Sequence, residues 1–304
     1  MTTLLPPSAR ALLKTAFPGQ PIYAVAATVG GFSNLTLALT IGTARCVAKI
    51  ATRPTKREDL HREAAALTWL AAQATIPALP GQHLAPIPTL RALLDDETTT
   101  VELLDALPGV PGITRYDGGL RTLSLPLLQL CKHLAGVHML PVPSIPALTG
   151  GIELLRGSLV LDDPQLDDDL RRAFSSALEH IGGRPQICFT HGDPGLHNIL
   201  VASDEQDLSG LLDWEWAGAG EPARDLAWLR WTLHWRGFGA VADLGTYRVY
   251  SGKTRAYIDG QFDPVLLDAY ALARIAAILG GLEPHERGEW IRRARWTITA
   301  PRIP

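Results

Sequence analysis

A short polar run between apolar strands constrains the fold of this chain more than any other feature. Residues 191–198 read HGDPGLHN and come directly after an apolar stretch that ends at Thr190. A second apolar stretch begins at residue 208 and runs into Asp213. Because each polar group stands where a short strand starts or ends, we expect Asp193, Asn198 and Asp213 to lie in one cleft.

The residue types in this cleft favour a magnesium site. Two carboxylates and an amide oxygen are hard ligands, which suit Mg²⁺ because this ion keeps several waters and bridges phosphates. Accepting the proton of an attacking hydroxyl needs a carboxylate that is close to the metal ligands but distinct from them. Phosphoryl transfer requires mainly positioning and charge neutralisation, so this set of side chains favours that chemistry.

The pattern HGDxxxxN, followed by two hydrophobic residues and an aspartate, resembles the catalytic and metal-binding loops of the aminoglycoside phosphotransferase and choline kinase family. That family shares the protein-kinase fold. Its usual continuation is an acidic-aromatic stretch and then a helix that opens with Pro and Asp. Residues 213–216 (DWEW) and 221–227 (EPARDLA) match this continuation. The matching motifs extend in the family's order over about residues 25–230.

The resemblance implies a role for each residue of the set. Asp193 corresponds to the catalytic base, Asn198 to a metal ligand and Asp213 to the main Mg²⁺ ligand. The resemblance further implies ATP as the phosphoryl donor, with GTP as an alternative, and a small molecule that carries a hydroxyl group as the acceptor. Considered singly, Asp193 could equally stabilise a Gly-Pro turn, and Asn198 could be an ordinary turn residue.

A glycine turn near the amino terminus supports the same interpretation. It lies between two predicted strands, where glycine lets backbone N–H groups approach phosphates. A hairpin turn without any function would have the same composition. The turn does not match the GxGxxG pattern of protein kinases, but it resembles the looser turn of the aminoglycoside kinases. Its candidate nucleotide-binding residues are Gly30, Gly31, Ser33 and Asn34.

Lys49 lies inside an apolar strand, where an unpaired charge would be costly. It resembles the strand lysine that contacts the α- and β-phosphates in kinases. Glu63, on the helix that follows, stands where the family has the partner of that lysine, and Glu58 is the weaker alternative. A surface lysine and a surface glutamate would explain the same residues without a function.

Hydrophobic periodicity predicts an α+β chain. Alternating patterns bounded by turns predict five antiparallel strands with one interrupting helix in the first hundred residues or so. The strands are expected at residues 22–29, 35–41, 45–50, 89–94 and 98–104, and the helix at 55–73. The rest of the chain is predicted to be mainly helical, with helices at 125–140, 165–181, 222–235, 264–279 and 285–297 and short strands at 187–190 and 208–212.

A Pro/Gly cluster at residues 107–112 is the predicted hinge between two lobes. We therefore divide the chain into an N-terminal nucleotide-binding lobe (1–105) and a C-terminal catalytic and acceptor-binding lobe (106–304). Together with the resemblance, this division implies a bilobal protein-kinase-like fold, with a small antiparallel-sheet lobe and a larger, mainly helical lobe. Backbone groups around Leu104 and Ala106 would then hold the adenine ring.

Composition argues against several other classes of protein. The net charge of −3 and the pI near 6.3 disfavour a nucleic-acid binder. Three scattered cysteines without CxxC spacing indicate neither a disulfide framework nor a zinc site. The sequence shows neither a signal peptide nor a run of about 18 apolar residues. We expect a cytoplasmic protein without a membrane span, as a monomer or a homodimer.

Two other functions fit part of the sequence. A metal-dependent hydrolase could use His191 and His197 together with the aspartates as ligands, but it would leave Lys49, Glu63 and the glycine turn unexplained. A pseudokinase would bind nucleotide without turnover. Such proteins usually lack the base, the Mg²⁺ aspartate or the strand lysine, and none of these is missing here.

For several further residues, we expect a structural role rather than a functional one. We expect His191 to shape its loop by hydrogen bonding and Asp225 to cap a helix and support the loop. The tryptophans are expected to pack in the core rather than to cage a quaternary amine. The sequence does not specify the acceptor, because acidic residues such as Glu215 and Glu289 would suit a polycationic aminoglycoside but could equally face solvent.

Overall fold

The first lobe of the computed structural model contains a five-stranded antiparallel sheet, as predicted. The structure describes residues 4–27, 34–73, 86–114, 120–202, 208–239 and 263–300. The strands are β1 (Ile22–Ala27), β2 (Leu35–Ile41), β3 (Ala44–Ala51), β4 (Leu90–Asp95) and β5 (Thr100–Asp105). Their order in the sheet is β1-β2-β3-β5-β4. The last two residues of the first predicted strand lie outside the described residues.

Alternating burial along the strands sets the register of this sheet. On β2, Leu37, Leu39 and Ile41 are buried, whereas the residues between them are partly exposed. β3 pairs with β2 on one side and with β5 on the other, so that Lys49 lies between Thr36 and Glu102. A slip of one residue would turn Lys49 to the other face of the sheet, so the register decides where its charge is placed.

The expectation of a single helix in this lobe is wrong, because a helix precedes the sheet. This helix, α1, spans Pro7–Ala16, and the predicted helix follows as α2 (Pro54–Ala71). The N-cap residue of α1 offers no side-chain hydrogen bond, so Pro7 at the first helical position is the main start signal. Ala9 and Leu13 pack into the core of the sheet beside Leu37. Tertiary packing therefore stabilises a helix that is too short to form strongly by itself.

The second lobe is mainly helical, as predicted. Its helices are α3 (Leu120–Val137), α4 (Ile152–Ser158), α5 (Asp168–Gly182), α6 (Pro222–Trp235), α7 (Pro264–Gly280) and α8 (Gly288–Thr299). Its short strands are β6 (Val110–Pro111), β7 (Cys188–Thr190), β8 (Ile199–Val201), β9 (Leu208–Leu211) and β10 (Gly218–Gly220). The unpredicted elements, α4, β6, β8 and β10, are too short to show periodicity. α3 begins five residues before the predicted start and contains Pro126 in its interior.

Short strand pairs bring the two polar loops of the sequence together. β7 precedes residues 191–198 and pairs with β10, while β8 follows them and pairs with β9, which leads to Asp213. The backbone N–H of Leu212 donates to the carbonyl oxygen of Asn198 at 2.8 Å. The loops that were expected to share a cleft are therefore bound directly to each other.

Helix α2 connects the two lobes through a shared core. Its residues Leu67 and Leu70 belong to the same hydrophobic cluster as Trp214 of the second lobe. Asp59 of α2 also binds Arg156 of α4 at 2.7 Å. The predicted division near residue 105 stays a prediction: the sheet has its own core around Leu37, whereas α2 packs with the second lobe. Over the ranges that the structure describes, no helix combines the length and the apolarity needed to cross a membrane.

Candidate active site

Lys49 and Glu63 form a buried ion pair at the centre of the site. β3 carries the lysine and α2 carries the glutamate, whose side chain is completely buried. The alternative partner, Glu58, is largely exposed and approaches Arg156 instead. The structure therefore brings Lys49 to Glu63, and neither residue is a surface group.

Lys49 also reaches the loop that carries Asp213. Its Nζ lies 2.7 Å from Asp213 Oδ1 and 3.4 Å from Glu215 Oε1. Burial opposes the charge of Lys49, but the carboxylates of Asp213, Glu63 and Glu215 outweigh burial and raise the pKa of Lys49 well above its ordinary value. The ammonium group is therefore a permanent positive charge, as a ligand for phosphate must be.

Asp213 has a strained backbone. Its φ of 67° lies in the left-handed region, and no other non-glycine residue in the described ranges has a positive φ. Such a conformation costs on the order of 1–3 kcal/mol and is commonly found at functional sites. The following residue, Trp214, donates its N–H to Glu63 Oε1 at 3.2 Å, which ties the loop to the ion pair. The strained conformation turns the Asp213 carboxylate towards Lys49.

Asp193 and Asn198 contact each other on the facing loop. Asn198 Nδ2 donates to the backbone carbonyl of Asp193 at 2.8 Å and to its Oδ2 at 3.1 Å. Because the amide nitrogen faces Asp193, the amide oxygen of Asn198 remains for a metal. Burial alone would raise the pKa of Asp193, but His197 and Arg274 hold it below its usual range. Asp193 is therefore an ionised carboxylate that can accept a proton.

Asp225 and His191 hold this loop in shape. The buried carboxylate of Asp225 accepts hydrogen bonds from the N–H groups of His191 and Gly192 at 2.8 and 2.7 Å. His191 Nδ1 accepts from the N–H of Asp193, so the ring proton lies on Nε2, which donates to the carbonyl of Leu212. Both ring nitrogens are engaged, so this histidine is not a free metal ligand. This arrangement argues against a metal-dependent hydrolase.

The structure corrects one expectation about Asp225 and explains why position 192 is a glycine. Asp225 supports the loop as expected, but helix α6 begins without a side-chain cap, so the expected capping role is wrong. Gly192 has a φ of 84°, and a Cβ atom there would lie 2.1 Å from the carbonyl oxygen of Trp216. The glycine of the HGD motif is therefore required by the close approach of the next loop.

Glu215 points into the charged cluster, so the expectation that it faces an acceptor or solvent is wrong. Its buried carboxylate accepts a hydrogen bond from Asn34 Nδ2 at 2.5 Å, in addition to its contact with Lys49. Burial, reinforced by the charge of Asp213, raises the pKa of Glu215 to about 8. Glu63, Asp213 and Glu215 place carboxylate oxygens within 4.8 Å of one another. All three carboxylates also contact Lys49 Nζ, so the ammonium group lies at the centre of this cluster.

Comparison with known sequences agrees with this geometry. The pattern of the phosphotransferase enzyme family (APH) matches residues 25–259. This chain belongs to that family. A comparison with curated proteins finds no significant match.

Solved structures of aminoglycoside phosphotransferases share the fold of this phosphotransferase family member. The aminoglycoside-3'-phosphotransferase of type VIII is 20% identical with a TM-score of 0.65, over 88% of this chain and 97% of that one. APH(4)-Ia is 16% identical with a TM-score of 0.63, over 96% and 97%. APH(3'')-Id from Streptomyces rimosus, in complex with ADP and streptomycin, is 17% identical with a TM-score of 0.61, over 89% and 97%. The fold is therefore the bilobal protein-kinase-like fold.

The glycine turn of this phosphotransferase family member is only partly described. Gly30, Gly31 and Ser33 lie outside the described residues, so their predicted contact with phosphate stays a prediction. Asn34 is described, and its amide binds Glu215 at the edge of the Lys49 cluster. The end of the turn therefore lies beside the lysine that was predicted to contact the nucleotide.

The prediction that the segment around Leu104 and Ala106 holds the adenine ring stays a prediction, and the structure shows which of its backbone N–H groups are already bound. Leu104 is buried near the end of β5, but the N–H of Ala106 already donates to the carbonyl of Arg45 at 3.2 Å. The N–H of Asp105 is likewise bound to a backbone carbonyl. In the described part of the chain, no backbone carbonyl accepts the N–H of Leu107. Leu107 is therefore the better candidate for a donor to the adenine ring.

The motifs in the sequence did not indicate two residues that lie beside Asp193. Trp228 of α6 donates its indole N–H to Asp193 Oδ1, and Nη2 of Arg274 on α7 lies 3.8 Å from the same oxygen. Trp228 also packs in the core, as expected for the tryptophans. Its spacing of three residues from Asp225 places both on one helix face, which was a usable signal. The sequence offered no such signal for Arg274, because α7 matches no motif.

Proposed function

We propose that this chain is an ATP- and Mg²⁺-dependent phosphotransferase that transfers the γ-phosphate to a hydroxyl group of a small molecule. The observation that carries the proposal is the convergence of two loops, one bringing Asp213 to Lys49 and the other bringing Asn198 to Asp193. Fixed charges in this arrangement position phosphates and neutralise charge, which is most of what phosphoryl transfer requires of a protein.

The donor nucleotide would bind between the two lobes, divided near residue 105. The Lys49 ammonium, held by Glu63, would bind the α- and β-phosphates, and the Leu107 N–H would bind the base of ATP or GTP. Asp213 and the amide oxygen of Asn198 would hold Mg²⁺. When bound, this ion neutralises charge on the β- and γ-phosphate oxygens.

Asp193 would act on the acceptor. Its carboxylate orients the hydroxyl group and takes the hydroxyl proton as the acceptor oxygen forms a bond to the γ-phosphorus. The bond between that phosphorus and the oxygen of ADP breaks in the same displacement. The ionised state of Asp193, maintained by His197 and Arg274, allows it to accept this proton at neutral pH.

The proposed acceptor is an aminoglycoside-like compound, an amino alcohol or a sugar. One structural relative was solved with streptomycin and another with hygromycin B, which makes these two compounds the first acceptors to test. Choline and glucose represent the other two classes. Glu215 does not line an acceptor pocket, because it is buried against Lys49.

The test is ADP release from MgATP by the purified protein, with each acceptor in turn, beside the variant Asp193→Ala. We expect acceptor-stimulated release, with a kcat that is lower in the variant by about 10²–10⁴-fold while MgATP affinity stays within about threefold. Asp169→Ala, at an exposed position of α5, is the matched control and should keep wild-type turnover. A variant that retained more than about a third of the wild-type kcat would contradict the role of Asp193. Tight MgATP binding without transfer to any acceptor would favour a pseudokinase.

A further inference from the structure

Helix α7 contributes a buried arginine to the catalytic loop, although the sequence predicted no role for this part of the chain. Arg274 is 3% exposed. Its guanidinium group lies over Trp216, 3.1 Å from the ring centroid, and 5.3 Å from that of Trp228. Trp216 belongs to the loop of Asp213. Arg274 thus lies between that loop and Asp193.

The two carboxylate oxygens of Asp193 have different partners. Oδ1 accepts the indole N–H of Trp228 and lies 3.8 Å from Nη2 of Arg274. Oδ2 accepts the amide N–H of Asn198 at 3.1 Å and lies 3.8 Å from Nε2 of His197. A carboxylate contacted from both sides is restricted to one orientation, and such restriction is what preorganises a catalytic group.

Burying the charged guanidinium group of Arg274 costs free energy of folding. Its two carboxylate neighbours offset this cost only in part. Burial lowers the pKa of Arg274 to about 9, so its guanidinium remains charged at neutral pH. Its second carboxylate neighbour, Glu153, lies 3.8 Å away and is already bound by Arg224 at 2.8 Å. Among the described residues, Nε and Nη1 of Arg274 have no hydrogen-bond partner. A buried charge that is incompletely paired reduces stability, so its presence beside Asp193 points to a function.

We propose that Arg274 is a positioning residue for Asp193: together with Trp228 it holds Oδ1, so that the carboxylate meets the acceptor hydroxyl in a single orientation. The proposal rests on the proposed function, because it takes Asp193 to be the base. In this role Arg274 contacts neither the nucleotide nor the acceptor. Its loss should therefore lower kcat and leave the affinity for MgATP nearly unchanged.

The test compares Arg274→Met, Arg274→Lys and Trp228→Phe with Arg184→Met. The control removes an arginine that binds Glu221 in the same lobe and does not contact Asp193. ADP release is measured with the acceptor that gives the highest wild-type turnover, or with water as the acceptor. Because a misplacement of about 1 Å can cost about 10²-fold in rate, we expect kcat to fall about 10–100-fold in Arg274→Met and Trp228→Phe. The KM for MgATP should stay within about threefold, and Arg274→Lys should retain more activity than Arg274→Met.

Chemical rescue separates positioning from a merely structural role. In Arg274→Ala the cavity over Trp216 can accept a free guanidinium ion, at about 50 mM guanidinium chloride, which is far below denaturing concentrations. We expect added guanidinium to raise kcat several-fold in Arg274→Ala and not in Arg184→Ala. A structural defect would not be repaired by a small cation.

The outcomes separate this inference from the proposed function. Wild-type kcat in both Arg274→Met and Trp228→Phe would overturn the inference alone, as would an equal loss in Arg184→Met without rescue by guanidinium. If the Arg274 variants do not fold, Trp228→Phe decides, because phenylalanine removes the N–H donor and keeps an aromatic ring at this position. A wild-type protein that transfers phosphate to no acceptor and not to water would overturn the proposed function and this inference together.

Discussion

Lys49 Nζ lies 2.7 Å from Asp213 Oδ1, although the two residues are separated by 164 positions in the chain. Glu63 and Glu215 contact the same ammonium group, so the cluster contains more carboxyl groups than cations. A nucleotide that entered without a metal would add further negative charge to this cluster. We therefore expect the nucleotide to bind as its magnesium complex.

Asp213→Asn should abolish magnesium-dependent nucleotide binding. The amide has nearly the shape of the carboxylate but lacks its charge, and loss of a direct metal ligand should weaken MgATP binding by at least about 10²-fold. Titration calorimetry with MgATP, repeated with ATP and EDTA, measures the effect. Asp169→Asn, on an exposed surface, is the control and should bind like the wild type. Unchanged affinity of Asp213→Asn for MgATP would exclude Asp213 as a metal ligand.

Asp225→Asn should destabilise the protein and slow turnover. The carboxylate is fully buried and accepts hydrogen bonds from two backbone N–H groups and from His138. Breaking such a buried charged network costs about 3 kcal/mol, which urea denaturation can measure. Asp268→Asn removes a partly exposed carboxylate that binds Arg230 and should cost less than about 1 kcal/mol. Equal losses in the two variants would contradict the role of Asp225 in supporting the loop.

Leu107→Pro tests whether the backbone N–H of Leu107 donates to the adenine ring. Proline removes the backbone N–H, and the loss of one hydrogen bond of about 0.5–1.5 kcal/mol should weaken ATP binding by up to about tenfold. Leu107→Ala keeps the N–H and controls for the lost side chain. Dissociation constants for MgATP, measured after circular dichroism has shown that both variants fold, provide the comparison. If Leu107→Pro and Leu107→Ala bound MgATP equally well, the N–H of Leu107 would not be the donor to the adenine ring.

Glu102→Gln should change how stability depends on pH. Burial, reinforced by the charge of Glu63, raises the pKa of Glu102 well above its ordinary value in the folded protein. As pH rises above the unfolded pKa, the unfolded chain releases this proton while the folded chain retains it. This group therefore lowers wild-type stability progressively with pH, up to its folded pKa. Glutamine does not titrate, so the stability advantage of the variant should grow from pH 5 to pH 8.

Thermal denaturation in EDTA, without nucleotide, measures this difference. A chain of this size shifts its Tm by about 1–2 °C for each kcal/mol, because its unfolding entropy is large. Glu58→Gln, at a largely exposed position of α2, should show no such trend. Parallel stability profiles for Glu102→Gln and the wild type between pH 5 and pH 8 would contradict the prediction.

Strand positions and the HGD loop could be predicted because their signals are local. The alternation of Leu37, Leu39 and Ile41 indicates one buried face. The HGDxxxxN spacing indicates a loop that carries Asp193 and Asn198.

Helix α1 was not predicted, although Pro7 stands at its start and Ala9 and Leu13 lie four residues apart on one face; only the structure shows the sheet on which they pack. Similarly, the orientation of Glu215 depends on Lys49, which lies 166 positions away in the chain.

The sequence alone determined the sheet, the mainly helical second lobe and the identity of the motif residues, because periodicity, turn chemistry and motif spacing act over short distances along the chain. Only the tertiary structure decided the partners of those residues. The contact of Arg274 with Asp193 and the engaged N–H of Ala106 both join segments that are far apart in sequence. Burial and charge pairing depend on which segments pack together, and no local pattern encodes that choice.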